Sequence, residues 1–202
     1  MINMWYDKYK AEINELSVFC ALCYERGLTS AMGGNVSIRV DGGILITASN
    51  ISLRKIAPEY VIMLDMDGNQ IYNPYGLRPS KELHMHLGAY AARSNTHCVM
   101  HLHPPYVIAL SANAESIPLV TESAKGKLGY LPVISAEAPG SDALAGSVYE
   151  SIKKADASIS AFALEDHGLL CLAETMEDAF NTADLAEDSA KIACIRKMAG
   201  LL

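Results

Sequence analysis

The hydrophobic positions of the first part of the chain change from helical to strand spacing. Apolar residues recur at helical spacing over residues 5–26, and Gly27 follows as a helix stop, so an opening helix is predicted. VSIRV alternates apolar and polar residues and is separated from the apolar run ILIT by DGG, which predicts a β-hairpin. VIMLDM and QIY flank a turn at residues 67–69 and predict a second hairpin.

The rest of the chain returns to the helical pattern and then alternates again. Residues 80–93 are predicted to be helical, and the apolar run CVMHLH after the polar loop SNTH is predicted to be a strand. Residues 111–140 are rich in Pro, Gly and Ser, which favours loops around a strand or two. A helix is predicted over residues 142–154, followed by two buried strands, AFAL and GLLCL, with a tight connection. Thr175 and Asp178, three residues apart, indicate the N-cap of a long final helix.

The order of the predicted elements limits the fold classes that are possible. Helices alternate with antiparallel hairpins, and the sequence has no internal repeat, low-complexity tract or linker. The pattern predicts an α/β fold in which helices pack against one mixed or antiparallel sheet. A chain of 202 residues is long enough for one well-buried domain, so residues 1–202 are expected to form a single domain.

Composition and charge exclude several classes of function. Half of the residues are hydrophobic and 19% are charged, which is typical of a compact protein. The net charge is −7 and the basic residues form no stripe, so nucleic acid is not an expected partner. No apolar run approaches the roughly 20 residues of a membrane-spanning helix, and the N-terminus is too polar for a signal peptide. We expect a cytoplasmic protein with no membrane partner.

The cysteines are predicted to be reduced thiols. There are five of them, an odd number, and their spacing suggests no disulfide framework. Cys20 and Cys23 form a C-x-x-C pattern, but they fall in the predicted opening helix without a second pair that would complete a zinc site. Helix packing is the favoured interpretation of this pair.

The stretch VMHLHPP contains the first candidate chemistry. In a strand, residues i and i+2 point to the same face, so His101 and His103 can present their imidazoles about 6 to 7 Å apart along the backbone. Pro104 and Pro105 end the strand directly afterwards, and a third histidine, His167, lies in the tight link between two later strands. Three neutral imidazoles with an open coordination position are typical of a catalytic zinc. Two core histidines with hydrogen-bonded ring nitrogens remain an alternative for a lone H-x-H.

Two features of the helix after Ser80 have simpler interpretations. His84 and His86 also form H-x-H, but in a helix positions i and i+2 diverge by about 200°, so surface or packing roles are predicted for this pair. Glu82 lies in the first turn, where a carboxylate is favoured by the helix dipole. From the residues alone, charge complementation is a sufficient explanation of Glu82.

Six ordered motifs resemble one family. The motifs are GGNVSIR (33–39), ITASN (46–50), PSKELHMH (79–86), VMHLHPPY (99–106), APGSDALA (138–145) and EDHGLL (165–170). Together they are similar to the class II aldolase/adducin family, and within it to its L-fuculose-phosphate aldolase-like branch. The similarity extends in order from Gly33 to the final helix.

The resemblance implies a fold, an assembly and a set of roles. It implies a three-layer α/β/α domain with a largely antiparallel central sheet, and a homotetramer with sites near subunit interfaces. By position, His101, His103 and His167 match the ligands of one Zn²⁺ per subunit. Glu82 matches the glutamate that acts as acid/base and can also touch the metal. This role replaces charge complementation as the expectation for Glu82.

A phosphate pocket is also implied. The matching positions come from three loops, and the residue types are small or able to donate hydrogen bonds. These positions are Gly34, Asn35, Ser49, Asn50, Ser80 and Lys81. The implied reaction is cleavage of a short ketose 1-phosphate to dihydroxyacetone phosphate and an aldehyde through a metal-stabilised enediolate.

Three positions depart from the family pattern. Asn50 stands where relatives generally have glycine, and Lys81 stands where they often have a second serine. Lys81 can hold a phosphate as a point charge or favour a carboxylated substrate. Glu122 occupies about the position of a tyrosine that transfers a second proton in the aldolase. A glutamate there resembles the dehydratase branch, so Glu122 is a candidate catalytic residue, with an ordinary solvated carboxylate as the alternative.

Other functions therefore remain open at this point. The first alternative is a same-fold sugar-phosphate dehydratase, 4-epimerase or decarboxylase. The second is a non-catalytic adducin-like module, although such a module has no need of the three histidines and Glu82. A cupin would need a glutamate shortly after the second histidine, and PPYVIAL contains none.

Overall fold

The structure is a computed structural model that describes the backbone of residues 2–201 and the side chains of residues 5–201. Seven α-helices and eight β-strands make up most of this part of the chain. The helices are α1 Ile2–Lys8, α2 Lys10–Glu25, α3 Leu83–Ala92, α4 Pro105–Ser111, α5 Glu122–Leu128, α6 Asp142–Lys154 and α7 Met176–Met198. The strands are β1 Asn35–Val40, β2 Gly43–Thr47, β3 Val61–Leu64, β4 Gln70–Tyr72, β5 Cys98–Leu102, β6 Val133–Ile134, β7 Ala161–Leu164 and β8 Gly168–Ala173.

The strands form one mixed sheet in the order β4-β3-β2-β1-β5-β8-β7-β6. Neighbouring strands are antiparallel except β6 and β7, which are parallel. The prediction of one mixed or antiparallel sheet in an α/β fold is therefore confirmed. Strand β5 lies in the middle, between β1 and β8, so Asn35 and Leu170 flank His101 on the two sides. This arrangement brings distant parts of the sequence to one place.

Side chains of the sheet alternate between two hydrophobic clusters. In β5, Cys98 and Met100 belong to a cluster with residues of α2, α4, α5 and α7. Val99 belongs to a second cluster with residues of α3 and α6. Because successive strand residues point to opposite faces, the two clusters lie on opposite faces of the sheet, and helices contact both. His101, two residues from Val99, faces the α3 side.

Both hairpins, the helix Asp142–Lys154 and the final helix occur as predicted. Thr175 caps the final helix by accepting a hydrogen bond from the Asp178 N–H at 3.0 Å. The opening helix is not continuous, because Tyr9 has non-helical dihedrals and separates α1 from α2. The Tyr9 hydroxyl donates to the carbonyl of Asp41 at 3.0 Å, a contact that the local sequence could not indicate.

Two other expectations need correction. Residues 111–140 contain the helix α5 besides the short strand β6, so the prediction of loops around a strand or two was incomplete. The Thr121 side chain accepts from the Ala124 N–H and starts α5, and Gly129 with a φ of 64° ends it. Strand β5 ends at Leu102, one residue before His103, because the His103 N–H donates to the carbonyl of Leu28 at 2.9 Å and not to a neighbouring strand.

The cysteines are free thiols in the described residues, as predicted. Cys20 and Cys23 are fully buried in the first cluster, which confirms helix packing for the C-x-x-C pair. Burial raises the pKa of the Cys23 thiol to about 12. Within the described residues, no helix is both long and apolar enough to span a membrane.

Glu187 of α7 positions the helix that follows the histidine pair. Its two carboxylate oxygens accept hydrogen bonds from the backbone N–H groups of Tyr106 and Val107, at 3.1 and 3.0 Å. These N–H groups belong to the first turn of α4, where the N-cap, Pro104, has no side-chain acceptor. Glu187 therefore holds the start of α4 from a distant part of the sequence.

Replacement of Glu187 by alanine is expected to lower the free energy of unfolding by about 1 to 3 kcal/mol, the cost of leaving buried donors unpaired. Burial raises the pKa of Glu187, so between its ordinary pKa and the raised value the folded chain binds more protons than the unfolded chain. The contribution of Glu187 to the free energy of unfolding, taken as the difference between the unsubstituted protein and Glu187→Gln, should therefore fall as pH rises through this interval. Urea denaturation at several pH values measures both effects. A difference between the two proteins that does not fall over this interval would contradict the raised pKa of Glu187.

Candidate metal centre and adjoining cavity

Three histidines converge at one end of the central strands. His101 is in β5 and fully buried, His103 follows the end of β5, and His167 lies in the turn that joins β7 to β8. His101 Nε2 and His103 Nε2 are 3.0 Å apart, and one ligand atom from each of the three imidazoles lies within 4.8 Å of the others. The predicted histidine triad is therefore brought together by adjacent strands of the sheet.

The tautomer of His101 follows from its surroundings. Its Nδ1 lies 3.2 Å from the carbonyl oxygen of Leu169, which can only accept, so Nδ1 carries the proton. In a neutral imidazole, Nε2 then has only a lone pair. This lone pair faces His103 Nε2 and also Glu82 Oε2, which is 3.1 Å away. Lone pairs this close together repel one another, and a cation bound between these three atoms would remove that repulsion.

Glu82 adds a carboxylate to the histidines. It precedes α3 and is 3% exposed, and its Oε1 lies 3.1 Å from His167 Nε2. Among the described residues, no donor meets Oε1 in hydrogen-bonding geometry, and His167 Nδ1 is also buried without a partner. Buried polar atoms are almost always paired, so an unpaired carboxylate oxygen next to three imidazoles indicates a place for a bound cation.

The protonation states suit this task. Burial raises the pKa of Glu82, but His101, His167 and the Asn35 amide lower it more, so the net pKa is well below the usual range. Burial is also the main reason that the pKa of His103 is lowered to about 4. At neutral pH, Glu82 is therefore a carboxylate and His103 is a neutral imidazole. Metal ligands need these deprotonated forms.

The donor set fits a divalent transition ion. With zinc–nitrogen bonds of about 2.0 to 2.1 Å and tetrahedral angles, ligand nitrogens lie roughly 3.4 Å apart. The His101–His103 separation of 3.0 Å requires only a small adjustment to reach that value. Three imidazoles leave a coordination position for another group, as in catalytic sites. The fit is therefore to a catalytic rather than a closed structural site.

Two glycines allow this close approach. A Cβ on Gly33 would lie 2.5 Å from His103 Nδ1, closer than a real contact permits. A Cβ on Gly168 would collide with the carbonyl oxygen of Leu102 and lie 3.0 Å from atoms of both His101 and His103. The imidazoles can therefore adopt these positions only because the neighbouring backbone carries no side chain there.

A cavity of about 180 Å³ adjoins the histidine cluster. All six positions of the predicted phosphate pocket line it, and Glu82 and His103 line it as well. The complete lining consists of Met32, Gly33, Gly34, Asn35, Ala48, Ser49, Asn50, Ser80, Lys81, Glu82 and His103. The loop before β1, the segment after β2 and the segment before α3 therefore meet at one site.

Backbone geometry explains two residues of this cavity. Gly34 has a φ of 80°, and Asn50 has a φ of 60°, which is in the left-handed region. Asparagine tolerates this region better than most other residues with a side chain, so Asn50 suits this backbone conformation. Ser80 lies near the start of α3, and its Oγ accepts from the Glu82 N–H at 3.2 Å. The Ser80 hydroxyl proton remains available for a ligand.

Glu122 is not brought to this site within one chain. It is the first residue of α5, its side chain is 93% exposed, and its carboxylate pairs with Lys125 at 2.9 Å. The contact with Lys125 lowers the pKa of Glu122. Among the described residues, no contact links it to the histidines or to the cavity. Its catalytic role stays a prediction.

The two histidines of the second H-x-H pair point in different directions, as helix geometry requires. His84 is exposed, whereas His86 is fully buried, and neither belongs to the histidine cluster of the described residues. His86 nevertheless joins a hydrogen-bonded chain that ends on Glu82, which the sequence interpretation missed. A signal was present, because Glu82, His86 and Tyr90 are spaced by four residues and so lie on one face of a helix.

Comparison with known proteins identifies the class of protein that this fold and site define. The profile of the family described as Class II Aldolase and Adducin N-terminal domain matches residues 14–194. The chain belongs to this family, and the resemblance inferred from the six motifs is confirmed.

Individual relatives make the similarity more specific. An L-fuculose phosphate aldolase of Methanococcus maripaludis is 30% identical over 90% of this chain and 95% of its own length. A 3-oxo-tetronate 4-phosphate decarboxylase of Haemophilus influenzae is 32% identical over 84% of this chain and 80% of its own. The crystal structure of L-fuculose-1-phosphate aldolase from Thermus thermophilus superposes with a TM-score of 0.83 at 22% identity, covering 93% of this chain and 95% of that one, and establishes the same fold.

The two relatives are named as an aldolase and a decarboxylase. The expectation that the chain is an enzyme of the class II aldolase type is confirmed by the family and by these relatives. The three-histidine cluster is consistent with a divalent metal in such an enzyme.

Proposed function

We propose that this protein is a zinc-dependent aldolase that cleaves a short, L-fuculose 1-phosphate-like ketose 1-phosphate to dihydroxyacetone phosphate and an aldehyde. The proposal rests on one observation: the same cavity is lined by residues that suit phosphate binding and by residues of the histidine cluster. Its walls contain Ser49, Asn50, Ser80 and Lys81, which suit a phosphate, and also Glu82 and His103 of the histidine cluster. A phosphorylated substrate held there would have its carbonyl end near the acid/base residue.

The side chains divide the work of the reaction. His101, His103 and His167 would hold one Zn²⁺ per subunit, which when bound supplies a Lewis acid that favours negative charge on the substrate carbonyl oxygen. In cleavage, a substrate hydroxyl group would give its proton to water and become the aldehyde carbonyl as the adjacent carbon–carbon bond breaks, while the Glu82 carboxylate would take up a proton from water. The bonding pair stays with the carbon next to the carbonyl, and Glu82 returns a proton to that carbon. In condensation, the Glu82 carboxylate removes the same proton.

The phosphate positions contribute binding and orientation. Ser49, Ser80 and the Asn35 amide present polar donors at the cavity wall, and Lys81 carries the only positive charge among the described residues that line it. On a chain with a net charge of −7, this lysine would attract an anionic substrate locally. Gly34 and Asn50 offer backbone N–H groups without a bulky side chain in the way.

Condensation provides the direct test. The zinc-loaded protein would be incubated with dihydroxyacetone phosphate and a panel of short aldehydes, and the products followed by NMR. A new ketose 1-phosphate is the expected result. Its absence with every aldehyde, together with full activity on another substrate class, would contradict the aldolase proposal.

A decarboxylase is the second candidate, and a specific residue favours it. Lys81 lines the cavity where relatives often have serine, and it can pair with a substrate carboxylate as well as with phosphate. The Haemophilus influenzae relative is named 3-oxo-tetronate 4-phosphate decarboxylase. Release of carbon dioxide from 3-oxo-tetronate 4-phosphate, in the absence of aldol products, would support this candidate over the aldolase.

Lys81→Ser is expected to raise the KM for an anionic substrate about 10- to 100-fold, because a hydrogen bond to a charged group contributes about 1.5 to 3 kcal/mol. Steady-state kinetics with a ketose phosphate and with a phosphorylated oxo acid would separate the two roles. A loss on both substrates assigns Lys81 to phosphate, and a loss on the acid alone assigns it to carboxylate. Lys55→Ser, at an exposed position outside the cavity, is the matched control. An unchanged KM for both substrates would contradict either role.

Further features of the family belong to the proposal as well. We infer a single domain over residues 1–202 with a three-layer α/β/α architecture, and the two hydrophobic clusters on opposite sheet faces support the layers. We also infer a cytoplasmic homotetramer with sites near subunit interfaces. A second acid/base role for Glu122 depends on this assembly, because Glu122 is exposed on a single chain. Sedimentation of the protein at several concentrations measures the assembly.

A further inference from the structure

A chain of buried polar side chains extends from Glu82 into the core between β1 and α3. Each member contacts the next through a hydrogen bond, and none is more than 7% exposed. We call it the buried polar chain, and its members in order from Glu82 are Asn35, His86, Ser37 and Tyr90. None of these residues except Asn35 lines the cavity, so the other three have no direct access to a substrate there.

The end of the chain at Glu82 fixes the orientation of the Asn35 amide. The ionised carboxylate can only accept hydrogen bonds, so the atom 2.8 Å from Glu82 Oε2 must be the Asn35 Nδ2 donor. The Asn35 Oδ1 then faces His86 Nε2 at 2.5 Å. An amide oxygen can only accept, so His86 Nε2 must carry a proton.

The same reasoning continues through His86. Burial lowers its pKa to about 3, so the imidazole is neutral and its single N–H proton is the one on Nε2. Its Nδ1 is then an acceptor, and the Ser37 hydroxyl donates to it at 2.7 Å. The Tyr90 hydroxyl has a single proton, and Ser37 Oγ at 2.8 Å is closer to it than the carbonyl oxygen of His97 at 3.4 Å, so Tyr90 donates to Ser37. Every donor in the buried polar chain therefore points towards Glu82.

The opposite direction of the chain is disfavoured. If His86 carried its proton on Nδ1, its Nε2 would need a hydrogen-bond donor. The Asn35 side-chain amide would then have to flip so that its Nδ2 faced His86 Nε2. The Asn35 Oδ1 would then face the Glu82 carboxylate at close range, with two acceptors and no proton between them. A buried carboxylate oxygen without a donor costs about 1 to 3 kcal/mol or more. The tautomer of His86 therefore determines which atom of Asn35 meets Glu82.

We propose that His86 is a positioning residue for proton transfer by Glu82: its Nε2–H holds the Asn35 amide so that Asn35 donates to Oε2 of Glu82. This fixes the orientation of the Glu82 carboxylate at the wall of the cavity, where it takes and returns the substrate proton. The inference rests on the acid/base role proposed for Glu82. His86 itself touches neither the substrate cavity nor the histidine cluster.

The first experiment measures the tautomer and needs no substrate. Long-range ¹H–¹⁵N correlation spectra of the zinc-loaded protein, with ¹⁵N-labelled imidazoles, distinguish Nε2–H, Nδ1–H and imidazolium forms. The His86 signals are identified by their loss in His86→Gln. A neutral Nε2–H form throughout the neutral pH range is expected. An Nδ1–H form or an imidazolium would overturn the proposal, whatever reaction the enzyme catalyses.

The second experiment compares two substitutions at the same position. Leucine removes the donor, whereas glutamine can place an amide N–H near the position of Nε2. His86→Leu is expected to lower kcat about 10- to 100-fold, the usual effect of losing an outer partner of a site, with little change in KM. His86→Gln should restore a large part of kcat. Equal losses of kcat in the two variants would overturn the proposal.

A control substitution in α6 distinguishes the proposed positioning role of His86 from a purely structural one. Val148 is fully buried and belongs to the same hydrophobic cluster as residues of α3. Val148→Ala should destabilise that side of the protein without changing kcat. A decrease in kcat that follows the melting temperature across Val148→Ala and the His86 variants would overturn the proposal.

A double-mutant cycle tests whether the effect passes through Asn35. In the Asn35→Ala background, His86→Leu should produce no further decrease in kcat, because the amide that it orients is absent. Additive effects would overturn the proposal. The outcome remains distinguishable from failure of the proposed function, which would appear as unimpaired proton exchange in Glu82→Gln with the His86 tautomer still as expected.

Discussion

The His103→Ala protein is expected to fold normally but to retain neither stoichiometric zinc nor measurable turnover. His103 supplies one of three converging imidazoles, and its Nε2 is 3.0 Å from that of His101. The substitution removes one of the three imidazole ligands and leaves a gap in its place, and the Lewis-acid contribution of several kcal/mol is lost with the metal. Metal content by elemental analysis and activity on the same samples measure both losses.

His84→Ala is the matched control for this substitution. His84 belongs to the other H-x-H pair, is exposed, and lies outside the cluster. Its removal should change neither zinc content nor activity, and circular dichroism should give native spectra for both variants. Full activity after complete removal of metal by a chelator, or undiminished zinc in His103→Ala, would be incompatible with the metal centre.

The Glu82→Gln protein is expected to keep its metal and to lose proton exchange. Glutamine has nearly the same shape as glutamate but cannot accept a proton at neutral pH, and general acid–base catalysis typically contributes about 10²- to 10⁴-fold. Exchange of the substrate C–H proton with deuterated solvent, followed by NMR in zinc-loaded protein, should slow by that factor. The three imidazoles are untouched by the change, so zinc content is expected to stay near one per chain.

Glu150→Gln makes the same chemical change at an exposed salt bridge of α6, with Lys154 as the partner at 3.4 Å. This control should exchange at the normal rate, because exposed ion pairs contribute little. Normal exchange in Glu82→Gln as well would remove Glu82 from the mechanism and leave the proton carrier to be found elsewhere.

Much of the fold could be predicted because its elements carry strong local signals. VSIRV and ILIT form the hairpin that their alternation and the DGG turn indicate, and helix α6 has the predicted bounds Asp142–Lys154. The helix α5 was missed because prolines and glycines in residues 111–140 favour loops. Thr121 as N-cap and Gly129 as stop were its local signals. The break at Tyr9 coincides with a hydrogen bond from its hydroxyl to the distant carbonyl of Asp41, and its own segment contains no signal for it.

The residues of the site could be predicted from the sequence, but their arrangement in space could not. The motifs gave His101, His103, His167 and Glu82 their expected roles, and the structure brings them together. Spacing alone could not place them, because His103 lies beyond the end of β5 and is held by the carbonyl of Leu28. Glu122 is exposed within one chain, since its neighbours in sequence form a surface helix.

The central position of β5 also determines when a metal ion can first be held. His101 contacts Leu169 across 68 positions of sequence, and Asn35 contacts Glu82 across 47. Such distant segments pair late and slowly during folding, so no short segment can assemble the ligand set early. The ion therefore meets its complete ligand set only after β5 has paired with β8. The ion would bind the folded protein and stabilise it relative to the unfolded chain by mass action. The amount of metal bound would then report the fraction of molecules that have folded.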